Sequence, residues 1–321
     1  MTKRFLIAFL MVWAGLGLAS AAPYPARPIT IIVPFAAGGP TDTLARSLAE
    51  PLSKVIGQTV VVEDVSGAGG SIGVERVVRA APDGYTIGIG NWSTHVLNGA
   101  IYDLHYDLLK DLEPVVLLPS SPQLIVAKET VPANNLHELM TWLKTNKAVV
   151  GTAGVGSAGH VSGLLFQKTT GIPISFVPYR GAGPAMQDLL GGHIDVMFDQ
   201  ASNSLPAVRA GKIKAFAVTS SARLAIAPDI PTVDEVGLPG FHVSVWHGLW
   251  APKGTPPVIV SKLNAAVARA LADPALQKHF AALGQDEPKG NQLMPSALGA
   301  LQKAEIEKWW PILKQAQVKS E

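Results

Sequence analysis

Two α/β lobes, each built on a mainly parallel sheet, are what this sequence predicts, and three features carry that reading. Short β-rich apolar runs alternate with helical patterns early in the chain and again in its middle. Long extended stretches separate and follow the second series. Glycine-bearing loops sit where strands hand over to helices.

The chain opens on a predicted signal peptide, residues 1–21. Lys3 and Arg4 form a positive start, and Phe5 to Leu18 an apolar run shorter than a spanning helix needs. Ala19-Ser20-Ala21 reads as a cleavage site, with the cut at Ala21/Ala22. The chain has no cysteine, so a lipid anchor and disulfides are excluded and the fold must rest on its cores. At 321 residues and 48% hydrophobic content it has ample material for them. Without Lys3 and Arg4 it carries 24 basic and 24 acidic residues, a balance in which nothing points to nucleic acid or an anionic membrane as partner, and no nucleic acid is expected.

In the first series Ile29 to Val33 is a strand and Pro34 to Pro40 a loop. Thr41 or Asp42 is placed to cap a helix carrying Leu44, Ala45, Leu48, Leu52, Val55 and Ile56, which Gly57 ends and Pro51 should kink. Thr59 to Val62 is the next strand, Ser71 a helix cap, and Tyr85 to Ile89 a third strand. In the second series strands at Val149 to Thr152, Ser175 to Val177, Ile194 to Phe198 and Ile213 to Thr219 alternate with helices at His160 to Thr170, Pro184 to Leu190 and Leu205 to Ala210. Val115 to Leu118 and Leu124 to Ala127, split by Pro119 to Pro122, read as one crossing between lobes, and Phe241 to Ala251 as the other. The helical tail from Pro256 should pack back on the first lobe. The boundaries expected are 22–120 plus 241–321 for the first lobe and 121–240 for the second.

Ligands of open parallel sheets sit beyond the carboxyl ends of strands, where helix N-termini point. Pro34–Asp42, Gly90–His95, Thr152–His160 and Pro178–Pro184 occupy such positions, two from each lobe, and can face each other across one cleft. Glycine lets the backbone approach closely, and unpaired N–H groups at a helix start favour an anion, so a carboxylate is the natural guest.

Several segments also resemble a known family. Tyr24-Pro25, Arg27-Pro28-Ile29, Val33-Pro34-Phe35, Ala37-Gly38-Gly39 with Asp42, and Ala45-Arg46 are similar to the opening of the Bug proteins, substrate-binding components of tripartite tricarboxylate transporters. Gly67-Ala68-Gly69-Gly70, Pro82-Asp83-Gly84-Tyr85-Thr86, Phe176 to Gly181, Gly191-Gly192 with Asp195, and Trp250 to Pro256 continue the likeness in family order over nearly the whole chain. The resemblance implies a two-lobed periplasmic-binding-protein fold of type II character that closes on a small organic acid. It further implies that backbone groups and ordered waters of the first lobe hold one carboxylate, and that the second lobe sets the far end. Membrane components of the transporter would be its partners, the periplasm its location, and a monomer its form. The chain departs from the family at Arg180, where Lys is frequent, and at His247, where an aromatic is frequent.

Among candidate ligand-binding residues, Phe35, Gly38, Gly39 and Asp42 form the carboxylate-anchoring loop; Asp42 would repel an anion and is expected to hold the loop itself. Ser93 and Thr94 are hydroxyl donors or caps, and Trp92 a stacking surface or, more commonly, a core residue. Gly154 to Gly159 spells GxGxxG, but no acid follows near Ile174 to Val177 as a dinucleotide site requires. A small-anion loop with Ser157 as donor is preferred, with His160 beside it. Tyr179 and Arg180, followed by Gly181 as a further candidate, either reach a distal carboxylate, the Arg as a bidentate fork, or stand as a solvated Arg beside a buried Tyr. Asp199 is placed to accept from a ligand ammonium or hydroxyl, or to cap the next helix.

No cofactor is expected, and the histidines show no metal-ligand spacing. A hydrolase would need G-x-S-x-G, and Val155 stands where the leading glycine belongs. The function expected is therefore capture of a small carboxylate without turnover. A sensor subunit that docks on a membrane signalling partner is the alternative.

Overall fold

The computed structural model describes residues 24–315 and Val318; the expected leader lies outside them. Strand β1 (Ile29–Val33) leads to helix α1 (Pro40–Ile56), β2 (Val60–Asp64), α2 (Ser71–Val78) and β3 (Thr86–Asn91). A π-helical turn, Ser93–Leu97, and the short α3 (Asn98–Ile101) precede the long β4 (Leu112–Lys128). Then follow α4 (Leu136–Thr145), β5 (Val149–Thr152), α5 (Ala158–Thr170), β6 (Ser175–Pro178), α6 (Ala182–Leu190), β7 (Val196–Gln200), α7 (Ala201–Arg209) and β8 (Ile213–Val218). The chain finishes with β9 (Ser244–Pro252), α8 (Pro257–Leu271), α9 (Pro274–Ala282) and α10 (Pro295–Gln315).

The strand order repeats. In the first lobe it is β2-β1-β3-β9-β4, with β1 parallel to β2 and β3, and β9 antiparallel to both neighbours. In the second it is β6-β5-β7-β4-β8, with β5 parallel to β6 and β7, and β4 antiparallel to β7 and β8. Strand β4 belongs to both: Leu112 to Pro122 pair with β9, and Gln123 to Lys128 with β7 and β8. The expected split at Pro119 to Pro122 is instead one 17-residue strand. Pro119, which lacks a donor, falls where the β4–β9 register shifts between Leu118 and Ser121, and Pro122 stands just past the shift, opposite Ser244. Ser120 there exchanges backbone hydrogen bonds with Asp286.

Period-two alternation builds a layer on each sheet face. Ile29, Ile31 and Val33 join Leu44, Leu48, Leu249, Leu263 and Phe280 on one face of the first sheet. Ile32 joins Trp92, Trp250 and Trp309 on the other. In the second lobe Ile125 and Ala127 face Phe166 and Phe198, while Leu124 and Val126 face Leu189 and Leu205. The tail packs as expected: α8 shares a core with α1, and α10 covers the tryptophan face.

Two local expectations change, both at helix starts. Helix α1 is capped by Gly39, not Thr41 or Asp42, because Pro40 supplies its first residue. Helix α2 starts from Gly70, with Ser71 inside it. Pro51 does not end α1, which is held on both sides by the fully buried Leu48 and Leu52.

Candidate functional site

The four loops picked out by strand-end position come together around one cavity. Phe35, Gly39, Pro40 and Thr41 line it from the β1–α1 loop, and Asn91 and Ser93 from the end of β3. Thr152, Ala153 and Ser157 to Gly159 line it from the β5–α5 loop, and Ala182 from the start of α6. Gln123 and the β7 end, Met197 to Gln200, complete it. The space between these walls is about 480 Å³, part of it open to solvent.

Four helices, α1, α5, α6 and α7, begin at this cavity. Only α5 has a side-chain cap, Ser157 Oγ accepting from the His160 N–H at 3.4 Å. The caps of the other three, Gly39, Gly181 and Gln200, make no side-chain cap hydrogen bond, but on the first turn of α7 the Ser202 N–H donates to Ser121 Oγ at 3.2 Å. First-turn N–H groups there lack intrahelical partners, and the helix dipole adds positive potential. Among the described residues lining the cavity none is Lys, Arg or His, so the backbone is its main source of positive potential.

The walls meet at the rim. The Ala36 N–H donates to the Arg180 carbonyl at 3.0 Å, and the Tyr102 hydroxyl to the Val155 carbonyl at 2.7 Å. A Cβ on Gly39 would stand 3.3 Å from the Gly183 nitrogen, and one on Gly183 only 2.7 Å from the Ala37 oxygen. Glycine is needed here for close approach of two backbones.

A chain of hydrogen bonds runs behind the first wall. His247 Nδ1 lies 3.2 Å from the Pro119 carbonyl, and its Nε2 3.3 Å from Thr41 Oγ1. Asn91 Nδ2 donates to Thr41 Oγ1 at 3.4 Å. Asn91 Oδ1 accepts from the Ser93 hydroxyl at 2.7 Å and from the N–H groups of Ser93 and Thr94. His247 has no exposed surface, and burial lowers its pKa to about 4.

Of the sequence-predicted residues, Phe35, Gly39, Ser93, Ser157 and Asp199 line the cavity. Gly38 and Asp42 lie behind it: Asp42 Oδ2 accepts the Gly38 N–H at 2.8 Å and Oδ1 pairs with Arg46 Nε at 2.6 Å, so Asp42 holds the loop. Thr94 is committed to the Asn91 backbone and to His95 Nδ1. His160 Nδ1 accepts from the Gly156 N–H at 3.1 Å, and burial lowers its pKa to about 4. Tyr179 and Arg180 line a second, outer hollow with Gly67 to Gly70 and Tyr102; Phe35 and Ala153 border both spaces. The Tyr179 hydroxyl donates to Asp188 at 2.5 Å. Gly181 caps α6 against Ala36.

Asp199 is 4% exposed, and burial raises its pKa to about 6 against donation from Ser204, Asn203 and the Gln200 backbone. Residues not singled out from sequence are Thr41 as a lining group, Asn91, Gln123, Thr152 and Gln200. Asn91, Thr152 and Gln200 each end a strand, which is the signal that identifies them. Gln123 has none, since it lines the cavity only because β4 changes partner there. Trp92 is a core residue, edge-on to Trp309 at 4.9 Å. In the GxGxxG loop, Gly159 is required by packing: a Cβ would sit 2.5 Å from the Phe198 oxygen.

Residues 44–317 match the family described as the tripartite tricarboxylate transporter family receptor. An Agrobacterium vitis protein, the UPF0065 protein in the TAR-I ttuE-ttuC' intergenic region, is 40% identical over 322 residues, 98% of this chain and 92% of that one. The structure of periplasmic binding protein BugD superposes with a TM-score of 0.89 at 42% identity, over 92% of this chain and 100% of its own. MatC from Rhodopseudomonas palustris, solved with bound malate, gives 0.87 at 41% identity, over 90% of this chain and 100% of its own. On this profile match and these likenesses, the chain belongs to the tripartite tricarboxylate transporter receptor family, the Bug group of periplasmic binding proteins.

Proposed function

We propose that this chain is a periplasmic solute-binding protein that captures a small organic acid and presents it, unaltered, to the membrane components of a tripartite tricarboxylate transporter. The carrying observation is the convergence of four helix starts, those of α1 and α6 with no side-chain acceptor on their first turn, on one cavity lined by no basic side chain among the described residues. Such a site holds a carboxylate through main-chain N–H groups. The malate bound by MatC supports the same ligand class. A leader at residues 1–21 accounts for export, and the proposed hinged halves are 22–120 with 241–321, and 121–240.

Ligand touching both halves binds the closed form better than the open one and so shifts the population toward closure. The rim hydrogen bonds from Ala36 and Tyr102 form only when the halves meet. A membrane partner then reads the closed surface. Turnover is not expected: Ser157 Oγ serves as a helix cap, and His160 Nδ1 is occupied by the Gly156 N–H.

Calorimetry with a panel of mono-, di- and tricarboxylates should find at least one binder at micromolar concentration or below. Gly39→Leu should abolish that binding with the fold intact by circular dichroism, because Gly39 has an ordinary negative φ and its missing side chain matters only for approach to Gly183. Retained affinity in this variant would contradict the anion-loop assignment, and steady ester hydrolysis by the wild type would contradict the binding-protein reading.

A further inference from the structure

The hydrogen bonds behind the first wall fix which groups there are able to donate. A carbonyl only accepts, so the ring nitrogen facing Pro119 must carry the imidazole proton. Buried and neutral, His247 then has an acceptor at Nε2, and the Thr41 hydroxyl has to donate to it. Asn91 cannot be turned the other way, because its Oδ1 takes two backbone N–H groups and the Ser93 hydroxyl proton. Its Nδ2 therefore donates to Thr41 Oγ1. Both hydroxyl protons of this wall are spent inside the protein, and Thr41 and Ser93 have only lone pairs left to offer. Across the cavity Asp199 is a buried carboxyl whose Oδ2 already accepts from Asn203 and Ser204 at 2.6 Å. Thr41, Ser93 and Asp199 thus face the cavity as acceptors, while its donors are the backbone N–H groups at the helix starts, the Ser157 hydroxyl, which accepts from the His160 N–H, and the side-chain amides of Gln123 and Gln200.

We propose that the solute is a hydroxy acid, its carboxylate held by the helix starts and its hydroxyl donating to Thr41 or Ser93, and that His247 is the positioning residue that sets this preference through Thr41. The inference rests on the cavity being the solute site. A plain acid of the same skeleton would leave the remaining lone pairs of these oxygens facing an apolar methylene, desolvated and unmatched. An amino acid supplies a donor of another kind, which Asp199 rather than Thr41 would favour.

The test uses the four-carbon diacids with no, one and two hydroxyls, namely succinate, malate and tartrate, with aspartate as the ammonium arm, all by calorimetry on the wild type. Malate or tartrate should bind about tenfold or more tighter than succinate, the discrimination expected of one buried hydrogen bond, and at least as tightly as aspartate. Thr41→Val keeps the shape and removes the oxygen; it should compress the ratio of hydroxy acid to plain acid. His247→Phe should compress the same ratio, a readout that loss of packing alone would not move. Succinate binding as well as the hydroxy acids, aspartate outcompeting them, or a ratio unchanged in Thr41→Val would each overturn the inference while leaving solute capture standing. Failure of every acid to bind would remove both.

Discussion

At Asp199 burial and hydrogen bonding pull in opposite directions, and burial wins, lifting the carboxyl to about 6. The sign follows from linkage. Between about pH 4 and pH 6 the folded state holds a proton that the unfolded state has released, so stability falls as pH rises through that window. Asp199→Asn should therefore be more stable than wild type at pH 7, by at most about 3 kcal/mol, with the gain gone near pH 4; urea denaturation at the two pH values measures it. Site residues of this kind were partly legible beforehand. Asp199, Ser93 and Ser157 stand next to β-rich runs or glycines that mark strand ends. Gln123 and Asn91 were not, because a polar residue near a strand end carries no periodicity, and their roles come from partners 96 and 50 residues away.

Helix starts are the elements that make the cavity, and they differ in how their first turns are capped. Helix α5 satisfies one of its own donors through Ser157, whereas Gly39 and Gly181 leave theirs free and bring two loops into contact. Gly183→Ala tests that contact. Alanine suits a helix better than glycine, so the ligand-free protein should melt at or slightly above the wild-type temperature. Its Cβ would nevertheless stand 2.7 Å from the Ala37 oxygen and obstruct closure, so affinity should fall by about tenfold or more in calorimetry. Strand alternation and glycine stops made the order of elements readable. Strand ends moved by two residues at β3 and β7, since their last pairs, Asn91 with His247 and Gln200 with Gln123, are set by strands distant in sequence.

For the whole molecule, three histidines, His95 and His247 buried and His160 half-buried, set the response to acid. Burial lowers His95 to about 3 and His160 and His247 to about 4. Each stays neutral in the fold while its unfolded counterpart protonates near 6.5, so the stability they contribute is present above that value and is lost as pH falls toward the folded pKa. At pH 5 the cost is roughly 2 kcal/mol per histidine, with Asp199 returning about 1. Urea midpoints should drop steeply between pH 7 and pH 5, and His247→Gln should flatten the slope by about two-fifths. Composition, the two βαβ series and the glycine-bearing turns by themselves determined the fold class and the four loops that meet, because those depend on local periodicity and on backbone groups every residue carries. Only the tertiary structure decided that β4 serves both sheets, that Arg180 stands outside the inner cavity, and that His247 reaches from Pro119 to Thr41. Those outcomes rest on which distant segments share a hydrogen bond, and no local pattern encodes that pairing.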